Sequence, residues 1–157
     1  MNKEYLIKLI EKEGDELQWD YTCSNGVIIH CSIHRNDVKA LCGYITLTKD
    51  NSLYGVDYDD INISAHGGIT YQGYDQNENW VIGFDCGHYG DLTPYFLLKD
   101  EILKIIKDSF PTTFARFTQD GIYRDMEYVK SECESMAEQA SVFSKSIERY
   151  NKISQII

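Results

Sequence analysis

The sequence has little proline, no long apolar run and few basic residues, and each shortage excludes a class of protein. Only 2 of the 157 residues are proline, so few positions interrupt helices or strands. No apolar stretch approaches the ~20 residues of a bilayer span. The first residues also lack the uninterrupted apolar segment of a secretory signal. We therefore expect a cytoplasmic protein without a membrane segment.

Acidic residues outnumber basic ones by 25 to 15, which gives a formal net charge of −10. Such a charge argues against duplex nucleic acid as a partner, because phosphate neutralisation requires a basic face. Three interpretations of the charge stay open. They are a protein partner with a basic surface, a small ligand held in a local pocket, and solubility alone.

The five cysteines are odd in number, and none has C-x-x-C spacing. In a cytoplasmic chain this pattern is typical of reduced, mostly buried thiols that pack as small apolar residues. A disulfide framework is not expected.

The length and composition indicate a single domain over residues 1–157. Residues 3 to 13 predict an amphipathic helix that ends at Gly14. Period-2 alternation from Leu17 to His34 predicts a β-hairpin, with a three-residue loop that ends in a left-handed Gly26. Leu41 to Thr48 is predicted as the next strand.

Two further strands are predicted at Ile61 to Tyr71 and at Trp80 to Cys86. If Tyr71 pairs with Trp80, then His66 faces Asp85 and Gly68 faces Gly83. The paired glycines would leave a trough without side chains on the polar face.

A helix is predicted from Leu98 to Ser109, followed by a long helix from about Arg124 to Tyr150. The long helix carries apolar residues at three-four spacing, and we expect them to cover the sheet, with a dimer coiled coil as the alternative. The chain would accordingly be a monomer or a homodimer. The predicted fold is α+β, with an antiparallel sheet of about five strands packed against the long C-terminal helix and shorter helices.

Four blocks of the sequence carry a resemblance to known proteins. They begin at Leu53 (LYGVDYDD), His66 (HGGITY), Gly83 (GFDCGHYGD) and Tyr123 (YRDMEYV). Their order resembles a family of short bacteriophage and prophage proteins that read LYGKDYDD, HGGLTY, GFDCAH.GD and YRDLEYV. The match covers roughly residues 41 to 140. Lys49 to Ser52 depart from the pattern, since relatives more often carry a Gly-His-Pro stretch there. The resemblance implies a phage or prophage origin and supplies no reaction.

The candidate site is centred on the segment from His66 to Asp91 and is predicted to bind a ligand. Backbone N–H groups near the glycines would hold an anion such as phosphate, Arg124 would supply the counter-charge, and tyrosines would stack on a planar base. The candidate ligand-binding residues are His66, Gly67, Gly68, Thr70, Tyr71, Asp85, His88, Asp91, Arg124, Tyr54 and Tyr58.

Catalytic and metal-binding interpretations of the same residues are weaker. A small hydrolase would use His66, Asp85 and His88, and a metal site would use the same residues with Asp91. Their spacing matches no zinc motif, so we expect neither metal nor cofactor. Cys86 alternates with Asp85 and should point into the core, which argues against a nucleophilic role.

The functional hypothesis is a phage or prophage accessory protein that acts against host defence. It would bind and sequester a small nucleotide-like immune signal without catalysis. The alternatives are the small hydrolase and an acidic inhibitor that docks on a host defence protein.

Overall fold

An antiparallel sheet packed against helices forms the part of the chain that this computed structural model describes, residues 1–112 and 121–156. The strands follow the order β1-β2-β3-β5-β4 across the sheet. This architecture confirms the predicted α+β class. The bounds are α1 Lys3–Glu13, β1 Glu16–Thr22, β2 Ile28–Arg35, β3 Leu41–Leu47, β4 Tyr71–Tyr74, β5 Trp80–Asp85, α2 Pro94–Leu98, α3 Asp100–Ser109, α4 Met126–Ser141 and α5 Lys145–Ile156.

The first helix and hairpin follow the sequence prediction. The Asn2 side chain accepts hydrogen bonds from the first turn of α1, and the helix ends at Gly14, whose φ is 76°. In the hairpin, Cys23 N–H donates to the Val27 carbonyl at 2.8 Å. The loop between them has three residues and ends at Gly26 with φ of 85°, as expected for a left-handed glycine beside a strand.

The core lies between one face of the sheet and α4. Phe84, Ile45 and Ile82 are fully buried from the sheet side. A Cβ atom at Gly43 would lie 2.6 Å from the Cys133 sulfur, so the bare backbone of β3 lets α4 pack closely. The helix contributes a row of buried residues at three-four spacing, namely Val129, Cys133, Met136 and Ala140.

The predicted long C-terminal helix is wrong beyond Ser141, because the helix is interrupted between α4 and α5. The Asn51 side-chain amide donates to the Ala140 carbonyl at 2.9 Å, and Lys145 N–H donates to the Asp50 carbonyl at 2.8 Å. These bonds replace helical ones and redirect the chain. Consequently Phe143 and Tyr150, predicted to be covered, are 36% and 70% exposed.

The helix predicted from Leu98 to Ser109 is confirmed as α3, Asp100–Ser109, and a short helix that was not predicted, α2, precedes it. Pro94 occupies the first turn of α2, and the helix ends at Lys99, whose N–H still bonds to the Tyr95 carbonyl. A proline in a first turn is favourable, since its missing N–H has no helical partner there. None of the described helices combines the length and hydrophobicity needed to span a bilayer.

The predicted pairing of the last two strands is also wrong. Tyr74, not Tyr71, pairs with Trp80, and Tyr71 pairs with Gly83. Only Tyr71–Tyr74 forms β4, so the segment from Ile61 to Thr70 is irregular and His66 lies in a turn. The proposed His66–Asp85 cross-strand pair and the Gly68–Gly83 trough therefore do not form.

Two isoleucines provide a test of this core. Ile82 is fully buried in β5, whereas Ile153 in α5 is 58% exposed. We expect Ile82→Ala to lower the free energy of unfolding by about 2–5 kcal/mol, because it leaves a cavity. The same change at Ile153 should cost less than about 0.5 kcal/mol. Urea denaturation measures both, and equal losses would contradict the placement of the core.

Candidate functional site

The Asp91 carboxylate is the centre of the candidate site. It follows a turn in which Asp91 N–H donates to the His88 carbonyl at 2.9 Å and Gly90 has φ of 91°. Asp91 also forms a parallel bridge with Ile122. A Cβ at Gly121 would lie 2.6 Å from the backbone nitrogen of Leu92, so only glycine permits the two segments to approach this closely.

Three groups donate hydrogen bonds to this buried carboxylate, whose side chain is 2% exposed. His66 Nε2 lies 2.7 Å from one oxygen, and His88 N–H donates to the same oxygen at 3.0 Å. Arg124 Nε donates to the other at 3.0 Å. Burial by itself raises the pKa of Asp91, but the bonds from His66 and Arg124 outweigh it and hold the pKa below its ordinary value.

Both ring nitrogens of His66 are hydrogen-bonded. An ionised carboxylate can only accept, so Nε2 carries the proton shared with Asp91. Nδ1 lies 2.8 Å from the Tyr128 hydroxyl, and this hydroxyl donates to it in the neutral imidazole. The arrangement fixes the orientation and the tautomer of the ring.

Tyr128 is a member of this cluster that the sequence prediction missed. The Arg124 guanidinium carbon lies 4.8 Å from the centre of the Tyr128 ring, within the range of a cation–π contact. The four-residue separation between Arg124 and Tyr128 could have indicated it, because this spacing places two side chains on one side of a helix. Burial raises the pKa of the Tyr128 hydroxyl, and the nearby Glu132 charge adds to the shift.

His88 and Asp85 form the outer part of the site. The Asp85 carboxylate accepts from the Thr70 hydroxyl at 2.8 Å and from Gly87 N–H at 2.9 Å. His88 Nε2 lies 3.6 Å from the same carboxylate and has no hydrogen-bond partner among the described residues. A Cβ at Gly67 would lie 2.2 Å from the His88 ring, so this position requires glycine. We call His66, Asp85, His88, Asp91, Arg124 and Tyr128 the Asp91 cluster.

The glycine-based anion site has fewer free donors than predicted. Gly68 N–H donates to the Ala65 carbonyl at 2.9 Å, and Gly87 N–H is bonded to Asp85. Gly83 does not open a trough, because a Cβ there would lie 2.4 Å from the Tyr44 ring. Arg124 is therefore the strongest remaining donor for an anion.

The three tyrosines proposed as base-stacking groups make their contacts with residues outside the Asp91 cluster. Tyr54 donates its hydroxyl to the Glu78 carbonyl, and Tyr58 N–H donates to Gln72. The Tyr71 ring meets Tyr44 edge-on at 5.4 Å between centroids. In the described part of the chain, none of their hydrogen bonds or ring contacts joins them to His66, Asp91 or Arg124.

Cys86 is buried, as its alternation with Asp85 predicted. Burial raises the pKa of its thiol, so the nucleophilic thiolate is disfavoured. All five cysteines are buried with free thiols. Within the described residues, no group of three or more His, Cys, Asp or Glu side chains is arranged to hold a metal ion.

Comparisons with protein-family models, curated proteins and solved structures found no match to this chain. The chemistry of the site must accordingly be argued from its own residues.

Replacing the central carboxylate tests its place in the structure. We expect Asp91→Asn to lower the free energy of unfolding at neutral pH by about 2 kcal/mol, since it removes charge-assisted bonds to His66 and Arg124. Because the folded-state pKa of Asp91 is lowered, its contribution is complete at neutral pH. It is lost as the pH falls below about 4 and passes through the folded-state pKa.

The difference between wild type and Asp91→Asn should therefore shrink on acidification. Asp59→Asn, at an exposed position, is the control. It should leave the free energy of unfolding almost unchanged at every pH. Denaturant melts of the three proteins at neutral and acidic pH measure this. If Asp91→Asn lowers the free energy of unfolding by the same amount at every pH, the ionised carboxylate is not the source of the stabilisation.

Proposed function

We propose that this chain is a phage or prophage accessory protein that binds a small nucleotide-like anion at the Asp91 cluster. It returns the ligand unchanged, so that a host immune signal is sequestered and not destroyed. The phage assignment rests on the resemblance of four sequence blocks, which is an association and not a physical argument. The binding assignment rests on Arg124.

The observation that carries the proposal is the state of the Arg124 guanidinium. Its Nε is bonded to Asp91 and its central carbon lies over the Tyr128 ring, so the group is held in place. Its terminal nitrogens have no hydrogen-bond partner among the described residues. A guanidinium that is already oriented and has two free terminal nitrogens can bind a phosphate or carboxylate. Little side-chain entropy is lost on binding.

The hydrogen bonds of His66 argue against this ring as the general base of a hydrolase. A general base needs a free ring nitrogen within reach of the proton that it removes. Both nitrogens of His66 are already occupied by Asp91 and Tyr128. The hydrolase alternative also paired His66 with Asp85. The Asp85 carboxylate instead accepts a hydrogen bond from the Thr70 hydroxyl.

The acidic character of the chain does not prevent anion binding at one point. At physiological salt the Debye length is ~8 Å, so distant carboxylates contribute little. The carboxylate in contact with Arg124, that of Asp91, is already paired with Arg124 and His66.

Calorimetry with a panel of cyclic di- and trinucleotides and cyclic ADP-ribose isomers tests the proposal. We expect one member to bind, and to be recovered intact after the protein is denatured. Arg124→Gln should weaken binding by about tenfold or more, because a charge-assisted hydrogen bond contributes ~1.5–3 kcal/mol. Absence of binding across the panel, or recovery of a cleaved product, would contradict sequestration.

Arg149→Gln is the matched comparison, since it removes the same charge elsewhere. Arg149 and Lys145 line a different cleft of about 510 Å³ between the hairpin loop and the start of α5. We expect this variant to bind like wild type. If Arg149→Gln abolishes binding and Arg124→Gln does not, the ligand occupies the α5 cleft and the site assignment is wrong.

A further inference from the structure

The face of the sheet opposite α4 carries a second set of polar residues. The register aligns Asp20, His30 and Thr46 in one row across β1, β2 and β3. Their neighbours on the core side, such as Cys31 and Ile45, are fully buried. None of these three side chains is buried. We call this side the open face.

A cavity of about 460 Å³ lies on the open face, within the range of roughly 300–1,000 Å³ typical of small-molecule sites. Strands β1, β2 and β3 form its floor, and the turn between β4 and β5 forms one wall. The lining residues are Gln18, Asp20, Ile28, His30, Thr46, Thr48, Asp75, Asn77 and Asn79. None of them belongs to the Asp91 cluster.

The wall of the cavity is held rigid by Asp75. Its carboxylate accepts from Asn77 N–H at 2.8 Å and from Asn79 N–H at 2.9 Å. Asp75 N–H also donates to the Asn79 carbonyl at 2.9 Å. These bonds use the backbone of the turn and leave the asparagine side chains available. A wall fixed in advance lowers the entropic cost of binding.

The cavity offers many hydrogen-bonding groups that are not used within the protein. The side-chain amides of Gln18, Asn77 and Asn79 have no hydrogen-bond partner in the described part of the chain. Each amide can donate as well as accept, whereas the Asp20 and Asp75 carboxylates only accept. His30 Nδ1 lies 2.8 Å from the Asp20 carboxylate, and its Nε2 has no hydrogen-bond partner among the described residues.

This combination selects against charged ligands. The described lining contains two carboxylates and no lysine or arginine, so an anion would be repelled. A cation such as a polyamine would satisfy the carboxylates but would leave the amide N–H donors without acceptors. A hydroxyl group both donates and accepts, so a neutral ligand with several hydroxyls satisfies both kinds of group.

We propose that the open-face cavity binds a neutral saccharide. Ring hydroxyls would bond to the amides and carboxylates of the turn and of β1. Ile28, which is 64% exposed in the lining, supplies an apolar surface for the C–H face of the ring. This site is separate from the Asp91 cluster and does not depend on the anion proposed there.

The test is an NMR titration of the isotope-labelled full chain with neutral oligosaccharides of glucose, galactose, mannose and N-acetylglucosamine. Spermidine and inorganic phosphate are titrated in parallel. We expect one saccharide to shift the side-chain amide signals of Gln18, Asn77 and Asn79 in a saturable manner. Neither of the charged compounds should do so. Failure of every saccharide, or saturable shifts with spermidine alone, would overturn the proposal.

Thr46→Val and Thr22→Val make a matched pair of variants. Both positions lie on the open face, but only Thr46 lines the cavity. Loss of one hydrogen bond at Thr46 should weaken saccharide binding about fivefold, while Thr22→Val should leave it unchanged. Asn79→Ala, which keeps the backbone bonds of the turn, is an independent second variant and should weaken binding similarly. Equal effects at Thr22 and Thr46 would place the ligand elsewhere.

Discussion

The buried carboxylate of Asp91 is the interaction on which the candidate site depends. Burying an isolated charge is costly, and the cost is offset only when hydrogen bonds and an opposite charge surround it. Here His66, His88 and Arg124 supply those bonds. They come from three separate segments, so a single side chain fixes the irregular turn around His66, the loop after β5 and the approach to α4.

A second carboxylate, that of Glu13, joins other segments to the start of α4. Glu13 accepts from Arg35 at 2.8 Å, from the Tyr123 hydroxyl at 2.7 Å and from Met126 N–H at 2.9 Å. Both side chains of the Glu13–Arg35 pair are nearly inaccessible. The end of α1 and strand β2 are thereby joined to the start of α4. Arg124 and Tyr128 flank this anchor, which makes their orientation a property of the whole fold and not of a local loop.

The parts of the fold that sequence predicts are those governed by local periodicity. The first hairpin depends on alternation and on Gly26, and α4 depends on three-four spacing as far as Ala140. The segment from Ile61 to Thr70 also alternates, and Ile63 is buried, yet it forms no strand. The Gln139 side chain explains this, since it accepts from Ser64 N–H at 2.7 Å and donates to the Ser64 carbonyl at 3.0 Å. A side-chain amide on α4 thus takes the place of a neighbouring strand, and no sequence pattern reports it.

The sequence predicts which segments form the site but not which of their side chains are hydrogen-bonded to each other. His66, Asp85, His88, Asp91 and Arg124 are brought together, while Tyr128 was missed and His66 was assigned to the wrong carboxylate. That assignment assumed a continuous ladder, whereas the observed partner lies 25 positions along the chain. Contacts made between loops depend on tertiary packing, which propensity and spacing do not encode.

The position of the proton on the neutral His66 ring tests the central role of Asp91 most directly. Nitrogen-15 NMR correlations of the imidazole distinguish a proton on Nε2 from a proton on Nδ1. With an ionised Asp91 as acceptor and the Tyr128 hydroxyl as donor, the neutral ring should carry its proton on Nε2. That proton should be shifted downfield and protected from exchange, and Asp91→Asn should remove the protection. A neutral ring protonated on Nδ1, or an Nε2 proton unaffected by Asp91→Asn, would contradict the central role of this carboxylate.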